Sequence, residues 1–462
     1  MTSLSREAAR EPRQEAPVPV PFLAVVVFLF ASSAIRFPGI FLEPSFWGED
    51  GTFFFRNSVE MGPSAILVPL YGSYHLLPRL TAFLVSFFPT YWAPVLYAVA
   101  AGSLSSLSLA LFSRAGLRWL VPDDRLRVLV CWLFSLAPGT YETYFALCTA
   151  NYEMFCGLVF LLLERDGEGR WQMGFRRALL VSFLWFSVGQ GLVLAALIAY
   201  LFWLTRNRNY LLCLAILAGA TLLNATTQNV YRPSPAPGPG LLAVIYVENL
   251  AIRLGFISLL PSSWHDAVPH MESGPFLLSS VALIGSYLWA AFRARRRDAE
   301  GARVLVLAVL SAMALFPLTA LARHYGVPRF TRPQIPLGGR HALVPAVLAL
   351  LLLWQLLARP GRKGAQWLAV TGLLAWTTFC ILHEPFYQPP GPLLSPPGVW
   401  LAQAATIDAA LRARRAGTLQ EPVVLGKIRC RPTLPRGVWK IRGLTIAPDE
   451  GATPSGPPPP RR

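Results

Sequence analysis

Apolar runs of about 17–25 residues recur along almost the whole chain, each long enough to cross a hydrocarbon layer about 30 Å thick. Within lipid the backbone finds no water to bond to, so such runs fold as helices that satisfy their own N–H and C=O groups. The predicted fold class is therefore an all-α polytopic membrane protein. Composition agrees: 54% of the 462 residues are hydrophobic and only 14% are charged, with a mean hydropathy of +0.46. A soluble chain carries roughly a quarter charged residues.

The formal charge of +17 raises the question of nucleic acid. No basic amphipathic stretch is interleaved with aromatic residues, so no nucleic-acid partner is expected. The arginines gather instead in short loops between apolar segments, the pattern of loops retained on the cytoplasmic side. Arg6, Arg10 and Arg13 precede the first span, 21–35, and place the N-terminus in the cytoplasm. No small-residue cleavage site follows that span, which reads as a retained signal anchor.

The sign of each loop then orders the chain. Spans are expected at 92–112, 128–144, 148–163, 210–223, 275–292, 304–321, 342–358 and 367–382. The segment 178–204 is interrupted by Ser187-Val188-Gly189-Gln190-Gly191 and flanked by arginines at both ends, so it reads as a short broken hairpin. About eleven helices result, counting the hairpin as two. The expected organisation is a cytoplasmic tail at 1–19, a transmembrane domain at 20–382, a small extracytoplasmic segment at 383–446 and a disordered tail at 447–462. In the third part, 399–413 is expected as an amphipathic helix and 421–444 as strand-like fragments. Five of the six cysteines fall in apolar spans and Cys430 stands alone, so neither a metal site nor a disulfide framework is expected.

The unusual polar clusters fall on the outer side of this topology. Glu49 and Asp50 form an acidic pair in the first outer loop, where adjacent carboxylates suit acid/base work. Downstream, His75 and Arg79 lie four residues apart on an interfacial helical segment within 71–88. They read either as a phosphate-facing pair or as an interfacial histidine beside an arginine that snorkels to headgroups. Glu142, Asn151 and Glu153 fall near the turn between two spans, where polar residues are needed anyway. The loop 322–341 holds Arg323, Arg340 and His341 with three further basic side chains. Arginines in a short translocated loop oppose the insertion bias, and either an anionic ligand or lipid headgroups would offset it. No nucleophile elbow and no Gly-rich phosphate loop is present.

Carboxylates, a His/Arg segment and an arginine loop on one face fit a reaction at a lipid phosphate. A carboxylate deprotonates an acceptor hydroxyl while basic groups stabilise the departing phosphate. On these residues the chain resembles the GT-C superfamily of integral-membrane glycosyltransferases. The acidic pair Glu49-Asp50, the segment 71–88, the helix number, the broken hairpin and the outer C-terminal segment carry that resemblance.

It implies an enzyme of a bacterial inner membrane. The enzyme would transfer a sugar from a polyprenyl-phosphate donor to a glycan or lipid acceptor of the cell envelope, with its active site extracytoplasmic. It further implies Asp50 as base with Glu49 as the neighbouring carboxylate. His75, Arg79, Arg323, Arg340 and His341 would bind substrate, with no cofactor and no metal. Two other classes stay open. A lipid-oligosaccharide flippase or transporter would carry charges along a central cavity. A polymerase or ligase of the O-antigen type would carry one large outer loop late in the chain.

Overall fold

A computed structural model of the protein describes residues 20–42, 46, 50–70, 74–137, 143–188, 191–227, 299–322, 397–425 and 444–446. It adds isolated helical positions at 285, 289, 347, 371–372, 374–376, 378 and 382. The chain is mostly helical, as its apolar patterning predicts. Helix α1 (Phe22–Arg36) is followed by a four-residue α2 (Gly39–Leu42) and by a π-helical turn over Asp50–Phe55 that runs into α3 (Arg56–Met61). Next come α4 (Leu76–Val85), α5 (Ala93–Ala110), α6 (Asp124–Ser135) and α7 (Asn151–Leu163). Helices α8 (Phe175–Ser187) and α9 (Ala195–Thr205) flank the expected break. Then α10 (Arg208–Thr227), α11 (Ala299–Ala322) and α12 (Pro397–Arg415) complete the described helices.

Helix α5 is the centre of the bundle and packs against both α1 and α7. With the 3-10 turns at its two ends it gives the one described helical stretch, Thr90–Ser113, long and apolar enough to cross a membrane. Pro94 starts it where a missing N–H costs nothing. Small residues let α7 come close: a Cβ added at Gly157 would meet the Cα of Ser108 at 3.2 Å. Every side chain of α7 is buried, which suits a helix surrounded by others rather than one edged by lipid.

The eleven membrane-crossing helices expected from the sequence are not supported among the described residues. The predicted span 128–144 is the plainest correction. Helix α6 ends at Ser135, and Pro138-Gly139 lie just beyond it, a pair that stops a helix. Its successor α7 has 13 residues, roughly 20 Å, short of the ~20 residues a full crossing needs. The break is where the sequence placed it, with α8 ending at Ser187 and a 3-10 turn over Gly191–Leu194 leading into α9, but the two halves each pack on α10 and not closely on one another as the expected hairpin would. Helices α8 and α10 pack on one another, as do α9 and α10.

The amphipathic helix predicted at 399–413 is α12, two residues longer at each end. A small β-ribbon forms at the two ends of the segment where strand-like fragments are expected. Strands β1 (Val423–Leu425) and β2 (Leu444–Ile446) pair antiparallel, with Val423 opposite Ile446. The predicted spans 275–292, 342–358 and 367–382 lie outside the described residues except for isolated helical positions, and the loop 322–341 does so except for its first residue.

Candidate functional site

The predicted base Asp50 is the first residue of the π-helical turn, a geometry that recurs at functional sites. Its side chain is buried, and both carboxylate oxygens accept backbone N–H groups from a distant loop. Leu147 donates at 2.8 Å and Cys148 at 2.7 Å. Charge-assisted bonds of this kind are short and strong, and they satisfy an ionised carboxylate inside protein. Asp50 therefore ties the first loop to the turn that launches α7.

Arg79 is the most unusual side chain of this end of the molecule. It sits in the first turn of α4 and is only 2% exposed, so it does not reach out to headgroups as the bland reading had it. Its guanidinium lies over the Phe54 ring, 4.9 Å from the centroid. One terminal nitrogen is 3.5 Å from the Phe53 carbonyl, while Nε and the other terminal nitrogen have no hydrogen-bond partner among the described residues. Burial lowers its pKa to about 10, partly offset by Tyr97, so the group stays charged at neutral pH. A buried charge with two unsatisfied donors is costly unless something anionic joins it.

His75 stands at the start of the same helix with a left-handed backbone, φ 48° and ψ 48°, uncommon for a residue other than glycine. It is buried, its ring 5.9 Å from that of Phe54. His75 and Arg79 are thus joined through one phenylalanine of the first loop, as well as through the Arg79 N–H bond to the His75 carbonyl at 2.9 Å. The hairpin break supports this start. Ser187 accepts the N–H of Leu77 at 3.0 Å, capping α4 from the end of α8. Tyr97, buried on α5, lies within electrostatic reach of both Asp50 and Arg79. The stretch Asp50–Phe55 thus carries Asp50 at its first position and meets the His75–Arg79 segment through Phe53 and Phe54.

Glu153 was read as part of a polar turn, and the structure corrects this. It lies in the first turn of α7 with no exposed surface. Thr143 donates its hydroxyl to one carboxylate oxygen, and the other has no hydrogen-bond partner among the described residues. Asn151 is buried two residues before it. The segment 143–150 is thereby held from two sides, by Asp50 at Leu147 and Cys148 and by Glu153 at Thr143.

Glu49, Arg323, Arg340, His341 and Glu142 lie outside the described residues. Sequence reading missed Ser187 as a cap and Tyr97 as a neighbour of the site. The only signal for the first was its place at the hairpin break, and nothing distinguished the second within an apolar helix. Among the described residues no group of three or more His, Cys, Asp or Glu side chains is placed to hold a metal ion. No family model, no curated protein and no solved structure matches this chain.

Proposed function

We propose that the protein is a membrane glycosyltransferase that moves a sugar from a polyprenyl-phosphate donor to a cell-envelope acceptor. The observation that carries this reading is Arg79, a charged guanidinium with two nitrogens unpartnered among the described residues, buried against Phe54 of the same π-helical stretch that begins at the buried carboxylate of Asp50. An anionic group entering beside Arg79 would meet a planar fork suited to phosphate oxygens. The donor's phosphate is such a group.

In the proposed reaction the acceptor oxygen attacks the anomeric carbon, and the bond from that carbon to the phosphate oxygen breaks. The electron pair leaves on the lipid phosphate, where Arg79 neutralises it. The acceptor proton passes to Asp50, whose carboxylate the two amides hold in a fixed orientation.

The reading is tested by incubating the purified protein with a panel of polyprenyl-phosphate sugars and measuring release of the lipid phosphate. Release from at least one donor, lost in Arg79→Met, is expected. No release from any donor, with an acceptor mixture from the envelope present, would overturn it.

A further inference from the structure

The end of the bundle away from Asp50 carries a second constellation. Asp50 bonds to the turn before α7, whereas Glu164 follows the last residue of α7, so the two ends stand roughly 20 Å apart. Here the turns after α5, the loop after α7 and the start of α8 enclose a cavity of about 840 Å³. Five arginines line it (Arg114, Arg118, Arg165, Arg176 and Arg177) against two carboxylates, Glu164 and Asp166.

Glu164 is shared by Arg114 and Arg177, while Asp166 pairs with Arg170 outside the five. Arg114 gives only Nε to Glu164, at 2.9 Å, which leaves both terminal nitrogens for another acceptor. Arg118 is turned by Asp124 through bonds of 2.9 and 2.7 Å. Arg165 lies against two indoles that meet edge to face, 4.6 Å from the Trp119 ring centroid and 4.5 Å from that of Trp171. Arg176 is exposed and joins no ion pair among the described residues. Gly116 brings bare backbone to the wall, for a Cβ there would run into the Glu164 side chain. A loop that only obeyed the positive-inside bias would need charges, but neither a cavity nor an arginine set against two indoles.

Beside the cavity, α8 exposes Phe175, Leu179 and Phe183, which share one helical face, and Leu180, which lines the cavity itself. A phosphate subsite next to an exposed apolar stripe matches a molecule with both parts. We propose that this cavity binds the phosphate of an anionic phospholipid, with the acyl chains lying along the Phe175–Phe183 face of α8. Guanidinium forks and the terminal nitrogens of Arg114 and Arg176 take the phosphate oxygens, and the apolar face takes the chains.

The test uses the full chain, delipidated in neutral detergent. Binding of phosphatidylglycerol, phosphatidylcholine and soluble glycerol phosphate is measured by native mass spectrometry and by the shift in melting temperature. Phosphatidylglycerol is expected to bind on the order of tenfold more tightly than phosphatidylcholine. The double variant Arg114→Gln/Arg176→Gln should lose that preference and keep its phosphatidylcholine affinity. Arg176→Gln alone, which breaks no internal bond, should lose part of it and keeps the test readable if the double variant folds poorly. Equal affinity for the two lipids, or an unchanged preference in both variants, would overturn the proposal. Competition by glycerol phosphate at the concentration at which the lipid binds would overturn the lipid as the source of the phosphate.

Discussion

Thr90 and Asp408 stand 318 positions apart in sequence, and the Asp408 carboxylate accepts both the backbone N–H of Thr90, at 3.2 Å, and its hydroxyl, at 2.5 Å. Six residues further along α12, Arg414 reaches the carbonyls of Val59 and Glu60 at 3.4 and 3.5 Å. The C-terminal helix therefore docks on the same end of the bundle as the first loop. Asp408→Ala removes the acceptor for two donors, and hydrogen bonds to a charged group contribute about 1.5–3 kcal/mol. Tryptic cleavage at Arg412, Arg414 and Arg415 should then accelerate by on the order of tenfold or more. Unchanged cleavage would mean that the helix is held by other contacts.

Arg79 separates folding from function. Replacing it with methionine removes a buried charge with two open nitrogens, a change that is often neutral or stabilising. The melting temperature of Arg79→Met should be equal to or above that of the parent while donor binding is lost. Arg79→Lys should restore binding only in part, because the ammonium lacks the planar fork. A large fall in melting temperature for Arg79→Met would assign the residue a structural role instead.

Asp50→Asn should lower stability as well as turnover. Asparagine offers one carbonyl oxygen, so its NH₂ must face one of the two N–H donors that now point at the carboxylate. Leaving a buried donor unsatisfied costs about 1–3 kcal/mol. Turnover per folded molecule should fall by roughly 10²–10⁴ if Asp50 also serves as the base. Chemical denaturation followed by activity per folded fraction distinguishes the two effects. A variant as stable as the parent would contradict the two amide bonds.

The acid limit of stability should depend on Asp124. Its carboxyl is held below the ordinary value of 3.8, first by the Arg118 hydrogen bond and then by the bonds and charge of Arg127. A carboxyl depressed in the folded state contributes stability that is fully present above 3.8 and is lost as the pH falls through its lower folded value. Arg118→Gln removes the largest cause, so the contribution of Asp124 should shrink, and its acid loss should be smaller and complete at a higher pH. Melting temperatures followed from about pH 6 down to about pH 2 for parent and variant check this. Superimposable curves would refute it.

Fold and site were legible in the sequence to different depths. Helix α5 was plain because its apolar run is unbroken and a proline marks its start. The hairpin break was equally plain, since Ser187 to Gly191 interrupt an apolar segment with arginines at both ends. The span predicted at 128–144 was misread because hydropathy runs straight through Pro138-Gly139, where backbone chemistry stops the helix. Asp50 was found from its place in a loop, but the amides it holds are 97 and 98 positions away and leave no local trace. For Arg79, spacing gave its helical face, whereas its burial depends on Phe54, which only tertiary packing brings over it.

The docking of α12 also fixes a time order. Ribosomal synthesis delivers the first loop long before Asp408 and Arg414 exist, so α3 and Thr90 emerge with their partners still unmade. During that interval the bundle assembles from its N-terminal side, as chains generally do. Thr90 and the end of α3 gain these partners only once α12 has been made, and a chain cut short before residue 397 would leave both without them permanently.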